Sequence, residues 1–520
     1  MKKVLAFLLA AVMLLGVLTA CSKTQTETPA QQTETPAQEP AQNEQPAQEE
    51  TAQPEEQPAA EKVEVTGMAM EYNTAPAKDG KYWQAMEEAM NVDYTVDWIA
   101  SDNYYEKLSL YILSDSLPDI VECTDLTNSV VQNAIEDGYF WDLTDFLGDF
   151  SKYPNLAATN PDAWNYAKVN GSIYLIPKTR GNLDCCMFIR QDILDELGLQ
   201  MPTTIDEYSD VLQKMVESGK VSAGFVPFAS TVYYFGGAFG LNELVYDDNG
   251  GLVQEKLTDA YADLVAWYAD LYAEGVIPSE YTLIGVSQQE EYFTTGVSAS
   301  LFKNSWHRLD LNQNLQSQVA ETASATMIPY LTGDKGTAGY WDLGYFGGLL
   351  ISKNVSEENV EKILTFLDAC CDPANYNLLN YGVEGYHWNY DEGGNVISTE
   401  EGTNEVTNSC LQAFVTATNE WAKVDSKAAD KAYNDETREQ MSVLYDFGAD
   451  KLMDWWRVLQ STKWSSLWTE YQDEFNAMET RAVSGQISMD EFRAYQQSLR
   501  EMPEFQEAFQ EFAAHYETLK

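Results

Sequence analysis

The chain has 520 residues, of which 44% are apolar and 12% aromatic, so it is long enough to form more than one folding unit. Its 82 acidic and 31 basic residues give a net charge of -51, which argues against binding to nucleic acid phosphates. Three scattered histidines and the lack of phosphate-loop, dinucleotide-binding, nucleophile-elbow and zinc motifs give no indication of a catalytic or metal site.

The first 61 residues have the features of an exported and tethered protein. Two lysines precede the apolar run 4–18, which is typical of a secretory signal and shorter than a membrane span of about 20 residues. The run ends in the letters LTAC, similar to a bacterial lipobox, so we predict a signal peptide at 1–20 and lipidation of Cys21. Residues 22–61 are rich in Thr, Gln, Glu, Pro and Ala, which predicts a disordered linker.

Beyond the linker, strand and helix patterns alternate. Residues 63–68 and 92–98 alternate apolar and polar side chains as half-buried strands do. Residues 82–90 and 103–113 repeat apolar side chains at helical spacing, and a third short strand is predicted within 117–123. This order predicts an α/β lobe with a mostly parallel sheet.

The end of the third predicted strand carries polar side chains. Glu122 and Thr124 lie at this end, beside Cys123 and Asp125. Because ligands bind beyond the carboxyl ends of the strands in such sheets, we expect Glu122 and Thr124 near a ligand cleft.

The remaining elements are predicted from the same patterns and from their end signals. Thr204 followed by Glu207 forms a capping box that begins a helix, and Gly198 ends a short helix. The turn in YDDNGGLV (246–253) is typical of a hairpin and lacks the closing glutamate of a calcium loop. Further predicted elements are a strand in 171–180, a helix at 257–274, strands at 299–302 and 347–351, and a helical section from about 441.

Six cysteines remain after the lipidation site. Adjacent cysteines seldom bridge each other, and there is no C-x-x-C motif. We predict that most are buried thiols that pack like small apolar side chains. The six are Cys123, Cys185, Cys186, Cys370, Cys371 and Cys410.

Eight segments carry a resemblance to one known family. They are the lipobox at Cys21, LPDI (117–120), IRQDILDELGLQMPTTIDEY (189–208), FGGAFG (235–240), GVSASLFKNSW (296–306), GGLLISKNVSEENVEKILTFLD (347–368), YGVEGYHW (381–388) and SGQISMDEFRAYQQSLRE (484–501). In this order and spacing they resemble the family 1 extracellular solute-binding proteins of bacterial ABC importers, closest to the LipO-like lipoprotein branch.

The resemblance implies a periplasmic-binding-protein-like α/β fold, in which two α/β lobes surround a hinged ligand cleft and a helical section follows. It suggests lobe 1 at about 62–180 and 330–355, lobe 2 at about 186–327 and 358–460, and C-terminal helices at 461–520. It also implies an oligosaccharide ligand and no catalysis, and the sequence itself indicates no cofactor or metal. The implied partners are ABC permease subunits, a cytoplasmic ATPase and, through the lipid, the outer face of the cytoplasmic membrane.

Four aromatic residues are candidates for contact with the ligand. Trp306 and Trp341 could stack on the apolar face of a sugar ring, or they could pack in the core. Tyr234 and Phe235 precede a glycine-rich segment that either lets the backbone approach a ligand or only allows tight helix packing.

Four polar residues complete the predicted site. Arg180 and Asp184, at the first connection between the lobes, could bind ligand hydroxyls or form a salt bridge between the lobes. In the stretch NYGVEGYHWNY, two glycines suit a tight turn near Glu384 and His387. Glu384 either accepts hydrogen bonds from ligand hydroxyls or fixes this loop by capping backbone N–H groups.

Two classes of function are compatible with the sequence. The first is the non-catalytic, monomeric binding component of an ABC importer, and the lack of an ATP-binding motif fits a component that works with a separate ATPase. The alternatives are a surface carbohydrate-active hydrolase, which needs only two carboxylates, an adhesion module, or a peptide-binding importer component.

Overall fold

The computed structural model of the protein describes residues 62–72, 74–126, 128–227, 229–427 and 429–520. The predicted signal peptide, the lipidation site at Cys21 and the linker lie outside these residues. The strands are β1 Val63–Glu71, β2 Val92–Ala100, β3 Ile120–Cys123, β4 Leu175–Thr179, β5 Cys185–Arg190, β6 Ser300–Asn304, β7 Ala325–Ile328, β8 Tyr330–Gly333, β9 Gly336–Gly339, β10 Tyr345–Ile351, β11 Trp388–Tyr390 and β12 Val396–Ser398. The helices are α1 Lys81–Ala89, α2 Tyr104–Leu113, α3 Ser129–Glu136, α4 Thr144–Leu147, α5 Pro154–Ala157, α6 Pro161–Tyr166, α7 Gln191–Leu197, α8 Ile205–Glu217, α9 Ala229–Phe235, α10 Asp259–Ala273, α11 Val286–Thr294, α12 Arg308–Gln318, α13 Glu357–Cys370, α14 Tyr376–Tyr381, α15 Glu400–Glu405, α16 Lys431–Ser442, α17 Ala449–Leu452, α18 Thr462–Val483, α19 Met489–Arg500 and α20 Pro503–Leu519.

The first sheet has five strands in the order β2-β1-β3-β10-β4. β1 pairs in parallel with β2 and with β3, which confirms the predicted alternation of strand and helix in this part of the chain. β10 enters from much later in the sequence and runs antiparallel to β3 and β4. The parallel part of the sheet is therefore restricted to its first three strands.

Both faces of the first sheet are buried, because alternate side chains of each strand pack into different cores. Val65 and Ala69 of β1 pack on the face covered by α1 and α13. Met68 and Met70 of the same strand pack on the opposite face, with α2 and α3. A sheet covered by helices on both faces is the expected arrangement for an α/β lobe.

The second sheet is antiparallel, with the strand order β6-β5-β7. Met187 and Ile189 of β5 pack into a core that also contains side chains of α8, α10 and the C-terminal helices α18, α19 and α20. Phe188 packs on the opposite face with α11 and α12. The C-terminal helical section is thus part of the second core.

Neither these helices nor any other described helix is long and apolar enough to span a membrane.

The observed cores divide the chain differently from the boundaries that the resemblance suggests. The helix α13 was assigned to lobe 2, but its apolar stripe, including Val360 and Leu364, packs against the first sheet directly after β10. The hairpin β8–β9 was assigned to lobe 1, but Leu331 and Ala338 pack in the second core. Periodicity identifies these elements, whereas contacts that are distant in sequence decide which lobe they join.

The predicted end signals are present, with one change of partner. Thr204 Oγ1 accepts the Glu207 N–H at 3.1 Å, which caps α8 as predicted. The Glu207 carboxylate, however, accepts the N–H and hydroxyl of Thr203, both at 2.8 Å. Gly198 ends α7 with a left-handed φ of 65°. An antiparallel bridge closes the predicted hairpin within 246–253.

The six cysteines that follow the lipidation site are buried and form no disulfide, which confirms the prediction of buried thiols. Cys185 and Cys186 point to opposite faces of β5, so their side chains are directed into different cores. Burial raises the pKa of both thiols well above the ordinary value. They therefore remain protonated and pack as small apolar groups.

Candidate ligand-binding site

Three connections of the described chain run between the two cores. The first crossing, 180–184, joins β4 to β5, and the second crossing, 340–344, joins β9 to β10. The third crossing, 416–423, leads from Val415 in the first lobe to Val424 in the second. The pocket and the charged groups described next lie at or beside these crossings.

Side-chain amides tie the crossings to one another. Asn182 Nδ2 donates to the Asp342 carbonyl at 2.7 Å, and the Asp342 N–H donates to the Asn182 carbonyl at 2.8 Å. Asn160 Nδ2 donates to the Arg180 carbonyl at 2.8 Å, while the Asn160 N–H donates to the Thr418 hydroxyl at 3.0 Å. Two cores joined by a few linked segments are the arrangement that hinged closure requires.

A pocket of about 320 Å³ lies where the first and third crossings meet the first lobe. This volume is at the lower end of the range for small-molecule sites, about 300–1,000 Å³. Tyr72 and Phe346 are 42% and 44% exposed, so much of their ring surface is open to a ligand. The lining side chains are aromatic (Tyr72, Phe346, Tyr376 and Phe414), amide (Asn380, Asn408, Gln412 and Asn419), basic (Lys178, Arg180 and Lys423), and small or aliphatic (Thr179, Leu411, Thr416, Ala417 and Ala422).

A buried ion pair between Lys178 and Glu122 forms one wall of the pocket. Glu122 is fully buried in β3, and Lys178 Nζ donates to its carboxylate and, at 2.6 Å, to the amide oxygen of Gln412. The Met70 N–H donates to the second Glu122 oxygen at 2.6 Å. Burial and the Glu122 charge raise the pKa of Tyr72 to about 12. Glu122 therefore lies near the pocket, as expected. It does not line the pocket itself, but it binds Lys178, which does.

Arg180 lines the pocket and joins a second charge network. Arg180 Nε donates to Asp342, and an Arg180 nitrogen lies 3.4 Å from Asp184. Arg457 donates to the other Asp342 oxygen at 2.8 Å. Burial acts against the charge of both arginines, but Asp342 and the other acidic neighbours outweigh it and raise the pKa of each. Arg180 and Asp184 thus form an ion pair within the first crossing, and Arg180 also pairs with Asp342 of the second crossing.

The two carboxyl groups of this network differ in acidity. Burial raises the pKa of Asp184; the charge of Arg180 opposes this shift and the charge of Asp342 adds to it, and the net shift is upward. At Asp342 the opposite holds, because Arg180 and Arg457 together outweigh burial and lower its pKa. Asp342 is therefore the firmly ionised member, to which both arginines are bound.

Lys423 lines the pocket from the third crossing and is half-buried. Within the described ranges it takes part in no ion pair, although Asp184 and Asp342 lie close enough to influence it. Burial lowers the pKa of Lys423, and the positive charge of Arg180 adds to that shift. The Lys423 ammonium group is thus partly removed from water, and the nearby carboxylates do not fully balance its positive charge.

The four predicted aromatic contacts do not line this pocket. Trp341, Tyr234 and Phe235 are buried in the cores that surround the second sheet, and core packing was the alternative role given to Trp341. Trp306 is half-buried and stacks on His307 with ring centroids 3.6 Å apart. The exposed aromatic rings that line the pocket are those of Tyr72 and Phe346.

His387 and Glu384 lie in the turn that leads to β11, outside the pocket lining. His387 is fully buried, its Nδ1 accepts the Val383 N–H at 2.9 Å, and its Nε2 donates to Glu405 at 3.1 Å. Glu384 is exposed, and among the described residues its carboxylate has no hydrogen-bond or ion-pair partner. The structure therefore gives His387 the role of fixing this turn.

Thr124 lies just beyond β3, at the strand end where it was expected. Its hydroxyl is 3.0 Å from the hydroxyl of Tyr105, and it does not line the pocket. Of the two residues predicted at this strand end, only Glu122 is linked to the pocket wall.

Sequence reasoning missed several residues of the pocket. A lysine within the otherwise apolar strand β4 was a usable signal, because a buried lysine needs a charged or polar partner, and Lys178 has two. Phe346 precedes the glycine pair of β10, which gives no such signal. Tyr72, Gln412 and Lys423 carry no local pattern that distinguishes them from surface residues.

The described residues contain no group of three or more His, Cys, Asp or Glu side chains placed to hold a metal ion. At the hairpin turn that was considered for calcium, Asp247 Oδ1 accepts the N–H groups of Asn249 and Gly251, both at 2.8 Å. That oxygen is therefore used by the turn itself.

Two α/β lobes, three crossings and a pocket where they meet define a periplasmic-type solute-binding protein. The sequence matches the family of bacterial extracellular solute-binding proteins over residues 73–370, which is more than half of the chain. The protein belongs to this family, as the resemblance in its sequence suggested.

Named relatives are similar over about two thirds of their length. The polygalacturonan/rhamnogalacturonan-binding protein YtcQ of Bacillus subtilis is 26% identical over 346 residues, covering 64% of this chain and 68% of YtcQ. Lipoprotein LipO of the same organism is 24% identical over 336 residues, covering 61% of this chain and 66% of LipO. The crystal structure of the alginate-binding protein AlgQ2 has the same fold, with a TM-score of 0.63, 18% identity, and coverage of 88% of this chain and 98% of AlgQ2.

Proposed function

We propose that this protein is the substrate-binding component of an ABC importer and captures an oligosaccharide by closure of its two lobes. It then delivers the sugar to a membrane permease that works with a cytoplasmic ATPase. The observation that carries the proposal is the pocket at the crossings, where aromatic rings and side-chain amides surround one small volume. The relative YtcQ, a polygalacturonan/rhamnogalacturonan-binding protein, supports a carbohydrate ligand.

The pocket lining suits the chemistry of a sugar ring. A sugar presents an apolar face of C–H groups and a rim of hydroxyls, so it needs flat apolar surface and groups that both donate and accept hydrogen bonds. The exposed rings of Tyr72 and Phe346 supply the flat surface. The amides of Asn380, Gln412 and Asn419 supply donors and acceptors.

The protein acts without catalysis, as a monomer held at the outer face of the cytoplasmic membrane. Membership of an extracellular binding-protein family supports this role, and the lipobox and the relative LipO support a lipid anchor at Cys21. Replacing Cys21 with Ala should abolish incorporation of labelled palmitate and release the protein into the medium. Retention of the label would contradict the proposed anchor.

Calorimetry with a panel of oligosaccharides, beside a panel of peptides, tests the ligand class. We expect stoichiometric binding of at least one oligosaccharide without any shorter sugar product. Phe346→Ala should weaken that binding about tenfold or more, since truncation of a central aromatic contact typically costs at least about 1–2 kcal/mol. The matched control is Tyr390→Ala, because Tyr390 is 53% exposed and lies outside the pocket. Released products, or binding of peptides alone, would contradict the proposal.

A further inference from the structure

The pocket is basic although the chain as a whole is strongly acidic. Three lining side chains are cations, and none of the described residues that line the pocket is Asp or Glu. The complete sequence has 82 acidic residues against 31 basic ones. The pocket lining is therefore positively charged in a chain that is negatively charged overall. A lining of this kind suits a negatively charged ligand.

The carboxylates near the pocket lie behind its cations. Glu122 is fully buried and pairs with Lys178, while Asp342 and Asp184 are buried and pair with Arg180. The third crossing contributes one acidic residue, Glu420, which accepts a hydrogen bond from Tyr445 and does not line the pocket. A ligand in the pocket thus meets ammonium and guanidinium groups, with the counter-charges on their far side.

Of the three cations that line the pocket, Lys423 is the one without an ion pair among the described residues, and Lys427, outside the lining, adds a further positive charge near it. Lys178, Arg180 and Arg457 form ion pairs with Glu122, Asp184 and Asp342. Lys423 has no such pair within the described chain. Its half-buried ammonium group and lowered pKa are the properties of a cation that lacks a near counter-charge. A single carboxylate from a ligand would supply the missing charge.

We propose that the bound oligosaccharide is acidic and carries a uronic acid residue, whose carboxylate pairs with Lys423 beside Arg180. This inference rests on the proposed binding of an oligosaccharide. The uncompensated charge favours a carboxylate over a phosphate, because a phosphate monoester carries about 1.5 to 2 negative charges at neutral pH. It would leave excess negative charge close to the buried carboxylates of the wall.

The test is calorimetric titration with short oligomers of galacturonate, glucuronate and mannuronate, each compared with its methyl ester and with a neutral oligosaccharide of equal length. We expect at least one acid oligomer to bind about tenfold or more tightly than its ester, since a hydrogen bond to a charged group contributes about 1.5–3 kcal/mol. Esterification removes the charge and keeps the sugar, so the ratio reports the carboxylate alone.

A set of lysine variants assigns the effect to one residue. Lys423→Met should reduce the acid-to-ester affinity ratio to about one without affecting the ester, and Lys423→Arg should retain part of the ratio. Lys431→Met is the control, because Lys431 is exposed on α16 and pairs with Asp435. Thermal unfolding of each variant verifies that the fold is intact.

Four outcomes would overturn the inference. If neutral oligomers or esters bind as tightly as the acids, or if Lys423→Met weakens all of them equally, the pocket does not select a carboxylate, while the proposed oligosaccharide binding stands. If a phosphorylated sugar alone binds, the charged group is misassigned. If no oligosaccharide binds and a peptide does, the proposed function itself fails.

Discussion

At the scale of single residues, Asp342 holds the charges of the crossings together. It is 1% exposed and binds Arg180 from the first crossing and Arg457 from the C-terminal part of the chain. Asp342→Asn should lower the free energy of unfolding by about 3–5 kcal/mol, because it leaves two buried arginines with too few counter-charges. Urea unfolding measures this change. Asp435→Asn, which breaks an exposed ion pair with Lys431, should cost less than about 1 kcal/mol, and equal losses would contradict the role given to Asp342.

Glu255 and Asp454 are buried carboxyl groups outside the pocket lining, and the charge of Asp454 acts on Glu255. Burial and the Asp454 charge raise the pKa of Glu255 from 4.5 to about 8. Because the folded protein keeps a proton that the unfolded chain releases, the stabilisation is complete below about pH 4.5 and is lost as pH rises towards 8. Stability should therefore fall across this interval.

Glu255→Gln should remove most of this pH dependence. The group alone contributes a slope of up to about 1.4 kcal/mol per pH unit in the free energy of unfolding. Urea unfolding at a series of pH values measures the slope for the wild type and the variant. Glu243→Gln changes an exposed carboxyl group and should leave the slope as in the wild type. An unchanged slope in Glu255→Gln would show that other groups cause it.

Residues of the site were predictable only where local pattern carries the information. Arg180 and Asp184 were found because they lie at the connection between two predicted strands, and the structure places both at the first crossing. Lys423 could not be found, because its position depends on a third crossing formed by residues far from the first two in sequence. Trp341 was a candidate as a large aromatic side chain, and its burial follows from tertiary packing that composition does not report.

At the scale of elements, β10 is the strand that brings the second crossing into the first sheet. Its insertion between β3 and β4 requires close backbone contact at Gly347, where an added Cβ would lie 2.2 Å from the Cys123 carbonyl oxygen. The alternation of β1 and β2 was predictable from period-two patterns, since both strands have neighbours that are close in sequence. The position of β10 was not, because it depends on pairing across more than two hundred residues.

Gly347→Ala should destabilise the protein more than Gly138→Ala. Both glycines have a positive φ, 60° and 81°, so each alanine suffers backbone strain of about 1–2 kcal/mol. Gly138 has no atom within 4 Å of an added Cβ, whereas Gly347 meets main-chain atoms of β3, which should add about 1–3 kcal/mol. Urea unfolding compares the two variants. Equal losses in the free energy of unfolding would show that β10 shifts to accommodate the added Cβ without further destabilisation.

At the scale of the whole molecule, two opposite charge patterns coexist. The full chain has a net charge of -51, whereas the part of the chain that the structure describes lines the pocket with three cations and no acidic residue. The fold class followed from the sequence, because the alternation of elements and the family resemblance extend over most of the chain. The division into lobes did not follow in detail, since α13 and the hairpin β8–β9 join the cores through contacts that no local pattern shows.

The association rate of an acidic oligosaccharide should rise with salt. At about 10 mM salt the Debye length is about 30 Å, so an acidic ligand is repelled before it reaches the pocket; at about 150 mM it is about 8 Å. Stopped-flow tryptophan fluorescence measures the rate for a uronate oligomer, and its methyl ester, which should show little dependence on salt, is the control. A rate that falls with salt would mean that the pocket attracts the ligand over a long range.

The acidic exterior around a basic pocket has a consequence for which molecules arrive there. Repulsion grows with the number of carboxylates on the approaching chain, so a long acidic polymer is slowed more than a fragment of a few residues. The encounter step would then favour short fragments before any contact is made. Such a protein binds the short products of polymer breakdown more readily than it binds the intact polymer.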